Sequence, residues 1–234
     1  MTTNPPQLID ANQRCQLCAA RMSCVVGQLP RSQQERLDPL IRELDFRKGE
    51  QLQVEGVEPA TVRSIKLGTV MLKRDGPDGQ ARPVGLAGRG HLLGLWGMVG
   101  MKTQIGAEAL SAGRLCELPA AALATTLGKD PALNGPLQRQ MHRAFARLAD
   151  WGQVMRLRGL HRQIVGALML LAQEQGTRTV HLPSQIAMAA LLATTRESVA
   201  RTLRQLQDAG YLRRHDRWHG ELSGTHMDVF RDSD

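Results

Sequence analysis

The chain has 234 residues, with 30 lysines and arginines against 22 aspartates and glutamates, a formal net charge of +8 and only 3% aromatic residues. That length holds one large or two small domains, and the basic balance points to a polyanionic partner. So few aromatic side chains argue against a reader of single-stranded RNA, which relies on stacking. The start lacks the basic and apolar regions of a secretory signal, and the longest apolar run, Ile164 to Ala172, is far short of the roughly 20 residues of a membrane span. A cytoplasmic protein is expected, where clustered thiols more often bind metal or react than pair as disulfides.

Residues 1 to about 14 are expected to be disordered. The stretch Cys15-Gln16-Leu17-Cys18-Ala19-Ala20-Arg21-Met22-Ser23-Cys24 then gathers three of the four cysteines, and the fourth is Cys116. If the fold brings Cys116 to this loop, the four thiolates form both a metal cage and a staple. Zinc and iron–sulfur clusters both favour such soft ligands. Zinc sites usually come as two short pairs, whereas two and then five intervening residues with a remote fourth ligand suit a larger inorganic core. Zinc and ordinary reduced thiols remain the competing readings. Arg14 and Arg21 flank the loop and are expected to lower the thiol pKa values and offset an anionic cluster.

A helix is predicted over 32–44, where Leu37, Leu40, Ile41 and Leu44 recur at helical spacing. From about Asp45 to Pro119, frequent glycines bracket short apolar runs at 51–55, 62–67 and 69–73. Asp75-Gly76-Pro77-Asp78-Gly79 is a strong turn signal. This segment reads as an antiparallel roll or barrel whose last strand, 114–118, carries Cys116. Beyond Pro119 the pattern is helical. From Pro136 to about Arg158, Met141, Ala144, Leu148, Trp151 and Met155 recur at alternating steps of three and four, the seam of a two-stranded coiled coil and so of a homodimer. The competing reading packs this helix on the roll of its own chain.

The last third reads as a second domain. Ile164 to Ala172 sits in an apolar helix, a short strand is predicted at 179–182, and two further helices flank a break at Ala193-Thr194-Thr195. The second, from about Arg196 to Asp208, buries Val199, Leu203 and Leu206, turns Glu197, Ala200, Arg201 and Arg204 outward, and stops at Gly210. It is the presented helix of a helix-turn-helix, followed by a wing with its turn at 213–220. Between Arg156 and Arg217, ten arginines face only Glu174, Glu197, Asp208 and Asp216, the footprint of a phosphate-binding surface. Arg196, Glu197, Arg201 and Arg204, with Thr195 and Ser198, are the candidate DNA contacts. Guanidinium forks suit guanine, and a carboxylate accepts from cytosine. A Glu197–Arg201 ion pair or a Thr194–Glu197 capping box is the blander reading. No Gly-x-Ser-x-Gly elbow or HExxH motif offers catalytic apparatus.

This order of parts resembles the Crp/Fnr transcription regulators, specifically the Fnr branch. The cysteine spacing and Leu115-Cys116-Glu117-Leu118-Pro119 carry the likeness. The resemblance implies an α+β chain with a cysteine segment at 1–30, a jelly roll of the cyclic-nucleotide-binding type at 31–134, a dimerisation helix at 135–159 and a winged helix-turn-helix at 160–234. It further implies an oxygen-labile [4Fe-4S] cluster held by Cys15, Cys18, Cys24 and Cys116. A cluster-bearing dimer would bind palindromic promoter sites and work with RNA polymerase. Arg196-Glu197-Ser198-Val199-Ala200-Arg201 is closer to the reading helix of the cyclic-AMP receptor branch, so a half-site resembling TGTGA is expected rather than TTGAT. The acidic residue and Arg-Ser pair with which that branch holds its nucleotide have no counterpart around 94–109. No cyclic nucleotide is expected, and Gly88 to Gly94 reads as a barrel turn.

Overall fold

The computed structural model describes residues 15–223. After the cysteine loop come a short helix, α1 (Arg31–Leu37), and strands β1 (Arg42–Phe46), β2 (Gln51–Gln53), β3 (Thr61–Leu67), β4 (Val70–Asp75), β5 (Ala81–Ala87), β6 (Leu92–Leu93), β7 (Gly106–Ala109) and β8 (Gly113–Pro119). They form two four-stranded antiparallel sheets, ordered β1-β8-β3-β6 and β2-β7-β4-β5, that face each other as a roll. Helices α2 (Ala120–Gly128), α3 (Gly135–Arg156), α4 (Leu160–Gln175), α5 (Gln185–Leu191) and α6 (Arg196–Asp208) follow. Strand β9 (Thr179–His181) joins a wing hairpin of β10 (Leu212–Arg214) and β11 (His219–Leu222). The architecture is the expected one.

Alternation along the strands creates two cores around one sheet. Ile65 of β3 and Leu115 of β8 point into the roll with Phe46, Val70 and Leu72. Their neighbours Val62 and Leu118 point the other way and, with Leu37, Ile41 and Leu123, form a second core under the cysteine loop, α1 and α2. Cys116 shares this outer face. A third core holds the C-terminal domain together around Ile164, Leu168, Leu171, Val199 and Leu206.

Two expectations need correction. The helix predicted over 32–44 ends at Leu37 and passes through a single turn, Asp38–Leu40, into β1. Pro39 lacks the amide that would continue the helix, so Leu44 becomes a strand residue. The second correction concerns α3. Met141, Ala144 and Leu148 face the roll across a partly open cavity whose edge Phe145 also reaches, while Trp151, only 3% exposed, and Met155 pack into the C-terminal core. The stripe predicted as a dimer seam is thus the face α3 turns to its own chain. An apolar period reports burial without naming what does the burying.

The break before α6 carries its own strain. Ala193 has φ 50°, the left-handed region, which costs a side-chain-bearing residue roughly 1–2 kcal/mol. Ala193→Gly is expected to stabilise the protein by about 1 kcal/mol, read as a higher midpoint in urea unfolding with unchanged slope.

Candidate functional site

Two regions concentrate the chemistry. In the first, Cys15, Cys18, Cys24 and Cys116 line one cavity together with Arg21, Ile41, Glu43, Ser64, Lys66 and Leu118. Register explains the convergence: Cys116 lies between Glu43 of β1 and Ser64 of β3 at the centre of its sheet. The loop folds over that point in two tight turns, Arg21–Ser23 and Val26–Gln28, with Val25, Val26 and Leu29 buried beneath it.

Side chains fasten the loop. The Gln34 amide donates to the carbonyls of Gly27 (3.0 Å) and Leu29 (2.7 Å), Arg21 Nε to Gly27 O (3.2 Å) and Gln28 Nε2 to Cys24 O (3.2 Å). At Gly27 a Cβ would stand closer than 3.0 Å to the Arg21 backbone, so the fold requires a residue without one.

The electrostatics differ from those expected. Arg14 lies outside the described residues, and Arg21 spends its Nε on Gly27. The cation that faces the thiols is Lys66, hydrogen-bonded to Glu43 at 2.8 Å. Burial opposes its charge, but the hydrogen bond to Glu43, with Cys116 and Cys18 close by, holds its pKa above the ordinary value. Far from being lowered, two thiol pKa values rise. Burial, reinforced by Asp38, Cys24 and Cys116, pushes Cys15 up to about 12. Burial also pushes Cys116 up to about 12 against the pull of Lys66. Cys15 Sγ donates to Asp38 Oδ1 at 3.7 Å. Buried neutral thiols become thiolates only when a cationic centre replaces their protons.

Four sulfur donors lining one cavity are a donor set that suits zinc or an iron–sulfur cluster. Among the described residues no three His, Cys, Asp or Glu side chains are arranged to hold one metal ion. Lys66, Glu43, Ser64 and Asp38 escaped the sequence reading. A clue existed in the period of two, which puts Ser64 and Lys66 on one face of a strand otherwise flanked by core.

The second region is the exposed side of α6. Thr195 caps the helix, its Oγ1 accepting from Ser198 N (3.2 Å) and donating to Ser198 Oγ (3.0 Å). Both hydroxyls therefore serve the helix start. Val199, Leu203 and Leu206 are buried, while Arg196, Glu197, Arg201 and Arg204 are exposed. Neither the Glu197–Arg201 ion pair nor the Thr194–Glu197 capping box forms among the described residues. Arg196 shares a groove with Arg214 and Arg217 of the wing. At the wing tip the Arg217 guanidinium lies 4.8 Å from the Trp218 ring centroid, and Lys48 Nζ, from the turn after β1, lies 5.2 Å from it.

Residues 162–222 match the Crp-like helix-turn-helix domain. No curated protein matches the chain. Among solved structures it is similar to FixK2 from Bradyrhizobium japonicum, at 19% identity over 83% of this chain and 98% of that one, with a TM-score of 0.70. It is also similar to the c-di-GMP-responsive regulator CLP of Xanthomonas campestris (19% identity, 84% and 100% covered, TM-score 0.63). A CRP/FNR-family transcriptional regulator of Thermus thermophilus is a third (20% identity, 82% and 99% covered, TM-score 0.61). At these identities the likeness is one of fold. Among the described residues no helix is long and apolar enough to cross a membrane.

Proposed function

We propose that the chain is a homodimeric, DNA-binding transcription regulator of the Crp/Fnr type that senses oxygen through a [4Fe-4S] cluster held by Cys15, Cys18, Cys24 and Cys116. The observation that carries the reading is the meeting of all four cysteines at one cavity, three from a loop and one from the centre of a sheet. When bound, such a cluster supplies a core that oxygen attacks. Its protein ligands would then tie the loop to β8. A single zinc ion is the second reading: four thiolates suit it too, but the sequence spacing, two and then five intervening residues with a remote fourth ligand, is not the usual pair of short zinc motifs.

The chain's own residues supply the rest. The helix α6 enters the major groove, with Arg196 and Arg201 placed for guanine and Glu197 for cytosine, while Arg204 and the wing arginines meet phosphates. This set favours a TGTGA-like half-site in a palindromic promoter, where RNA polymerase is the further partner. A cyclic nucleotide has no part in the reading. The cavity between the roll and α3, lined by residues such as Leu72, Leu93, Trp96, Met141 and Leu148, has no charged residue in its lining.

The partner subunit is expected on the free face of α3. Gln138, His142, Phe145, Ala149, Gly152 and Arg156 recur there at alternating steps of four and three. Phe145 is 67% exposed, and a Cβ on Gly152 would meet nothing within 4 Å, leaving room for a close helix. Phe145→Glu is expected to turn dimer into monomer at micromolar concentration in analytical ultracentrifugation, with an unchanged far-ultraviolet spectrum. An unaltered dimer would move the interface elsewhere.

The reading is tested by purifying the protein without oxygen, recording its visible spectrum, and measuring binding to selected duplexes before and after air. A brown, iron-bearing protein that loses colour and DNA affinity together is expected. Colourless protein from an iron-replete preparation overturns the sensor, and iron-bearing protein without sequence-selective binding overturns the regulator.

A further inference from the structure

The glycine-rich stretch Gly88-Arg89-Gly90-His91, legible in the sequence only as a barrel turn, lies where two other parts of the chain leave no room for side chains. A Cβ on Gly90 would stand closer than 3.0 Å to Ser23, the neighbour of Cys24, and a Cβ on Gly88 closer than 3.0 Å to the carbonyl of Glu174, near the end of α4. The turn is gripped between the cysteine loop and the C-terminal domain. It is also tightly bonded: Gly90 N donates to Ile65 O (2.8 Å), Ile65 N to His91 O (3.0 Å) and His91 N to Gly88 O (3.1 Å). A push on one side therefore reaches the other.

The helix α3 spans the same junction. Gln140 donates its amide to the Ser23 carbonyl. Two helical turns further on, Arg147 donates through Nε to Glu174 Oε1 (2.5 Å) and through Nη1 to His91 Nδ1 (3.3 Å). His91 can accept because burial, with Arg147 beside it, lowers its pKa to about 3 and keeps it neutral. The Glu174 side chain is 4% exposed. A desolvated ion pair tolerates little partial separation, since each charge left alone is costly, so the junction is either closed or open.

We infer that the Gly88–His91 turn couples the cysteine loop to the C-terminal domain within one subunit, so that a shift of the loop around Ser23 and Cys24 opens the Arg147–Glu174 pair and unseats α4 from the roll. This rests on the reading that the thiols hold a removable group. It goes beyond that reading in giving the DNA-binding domain a route to the thiols that does not pass through the dimer interface.

The test is amide hydrogen exchange, read by mass spectrometry on the full-length protein prepared anaerobically with iron, comparing wild type, Cys24→Ser and Gly90→Ala. The second variant crowds Ser23 whatever the thiols hold. Both are expected to quicken exchange over 170–176 by roughly fivefold or more, the low end of measured couplings, while β4 stays protected as in wild type. An effect of Gly90→Ala without one of Cys24→Ser keeps the coupling and removes the cofactor reading. No change over 170–176 in either variant overturns the coupling. Should Gly90→Ala lose the protected roll, Gln140→Ala, which releases Ser23 without crowding it, decides between the same outcomes.

Discussion

Replacing Cys116 by serine is expected to give anaerobically purified protein with no iron-derived visible absorption, and with the DNA affinity of air-exposed wild type. Cys116 is the one thiol that the sheet itself supplies, fixed between Glu43 and Ser64 by the register of three strands. The loop cysteines can adjust to one another, whereas nothing else on that face can take its place. Serine keeps the size but offers a hard oxygen where a soft sulfur is needed. Because the side chain is only half-buried, the roll is expected to survive with little change in its unfolding midpoint. Ser64→Ala, altering the adjacent position on β3, is expected to keep the colour. A Cys116→Ser protein with the wild-type spectrum and iron content would remove this residue from the ligand set, and with it the link between loop and roll.

Arg201→Ala is expected to weaken binding to the selected half-site by about 1–3 kcal/mol, the value of a bidentate guanidinium–guanine contact, and to relax preference at a single base pair. Arg201 is exposed in the middle of α6 and its side chain makes no hydrogen bond or ion pair among the described residues, so its removal leaves the helix intact. The core residues Val199, Leu203 and Leu206 hold the opposite face. Arg213→Ala, on the wing, is expected to behave differently. It should weaken all duplexes about equally and lower the salt dependence of binding by roughly one phosphate contact. Fluorescence anisotropy over a salt series, with cognate and mutated duplexes, separates the two. If Arg201→Ala loses affinity equally for every sequence, it contacts phosphate and the proposed reading of guanine is wrong.

The recognition helix was legible to its bounds because its signals are local. Thr195 caps it, its apolar positions keep one period, and Gly210, with φ 78°, follows its end. The roll was legible in outline for the same reason, since its turns are written in glycine and its strands in alternation. The helix α3 was legible in extent and misread in orientation. It packs against both the roll and the C-terminal domain, and its strongest apolar stripe goes to its own chain. That Cys116 should meet the loop was expected from the Fnr-branch resemblance that the cysteine spacing carries. Lys66 and Glu43 beside it were not, because they arrive through strand register, which joins residues far apart in the chain. The thiol pKa values were misjudged on the same account. Flanking arginines are visible in the sequence, and burial under a folded loop is not.

The indole of Trp218 gives the molecule an optical gauge. It lies at the wing tip, stacked with His181 at 6.2 Å between ring centroids, with Arg217 and Lys48 close to its face. Of these neighbours only Lys48 belongs to the roll. Rotation of the C-terminal domain would carry the ring away from that ammonium while the other two travelled with it. Trp151, packed in the core that joins Leu86 and Leu110 of the roll to the C-terminal helices, would answer the same rotation from within. A Trp96→Phe chain would therefore report the seating of its DNA-binding domain as a shift in emission, without any attached dye.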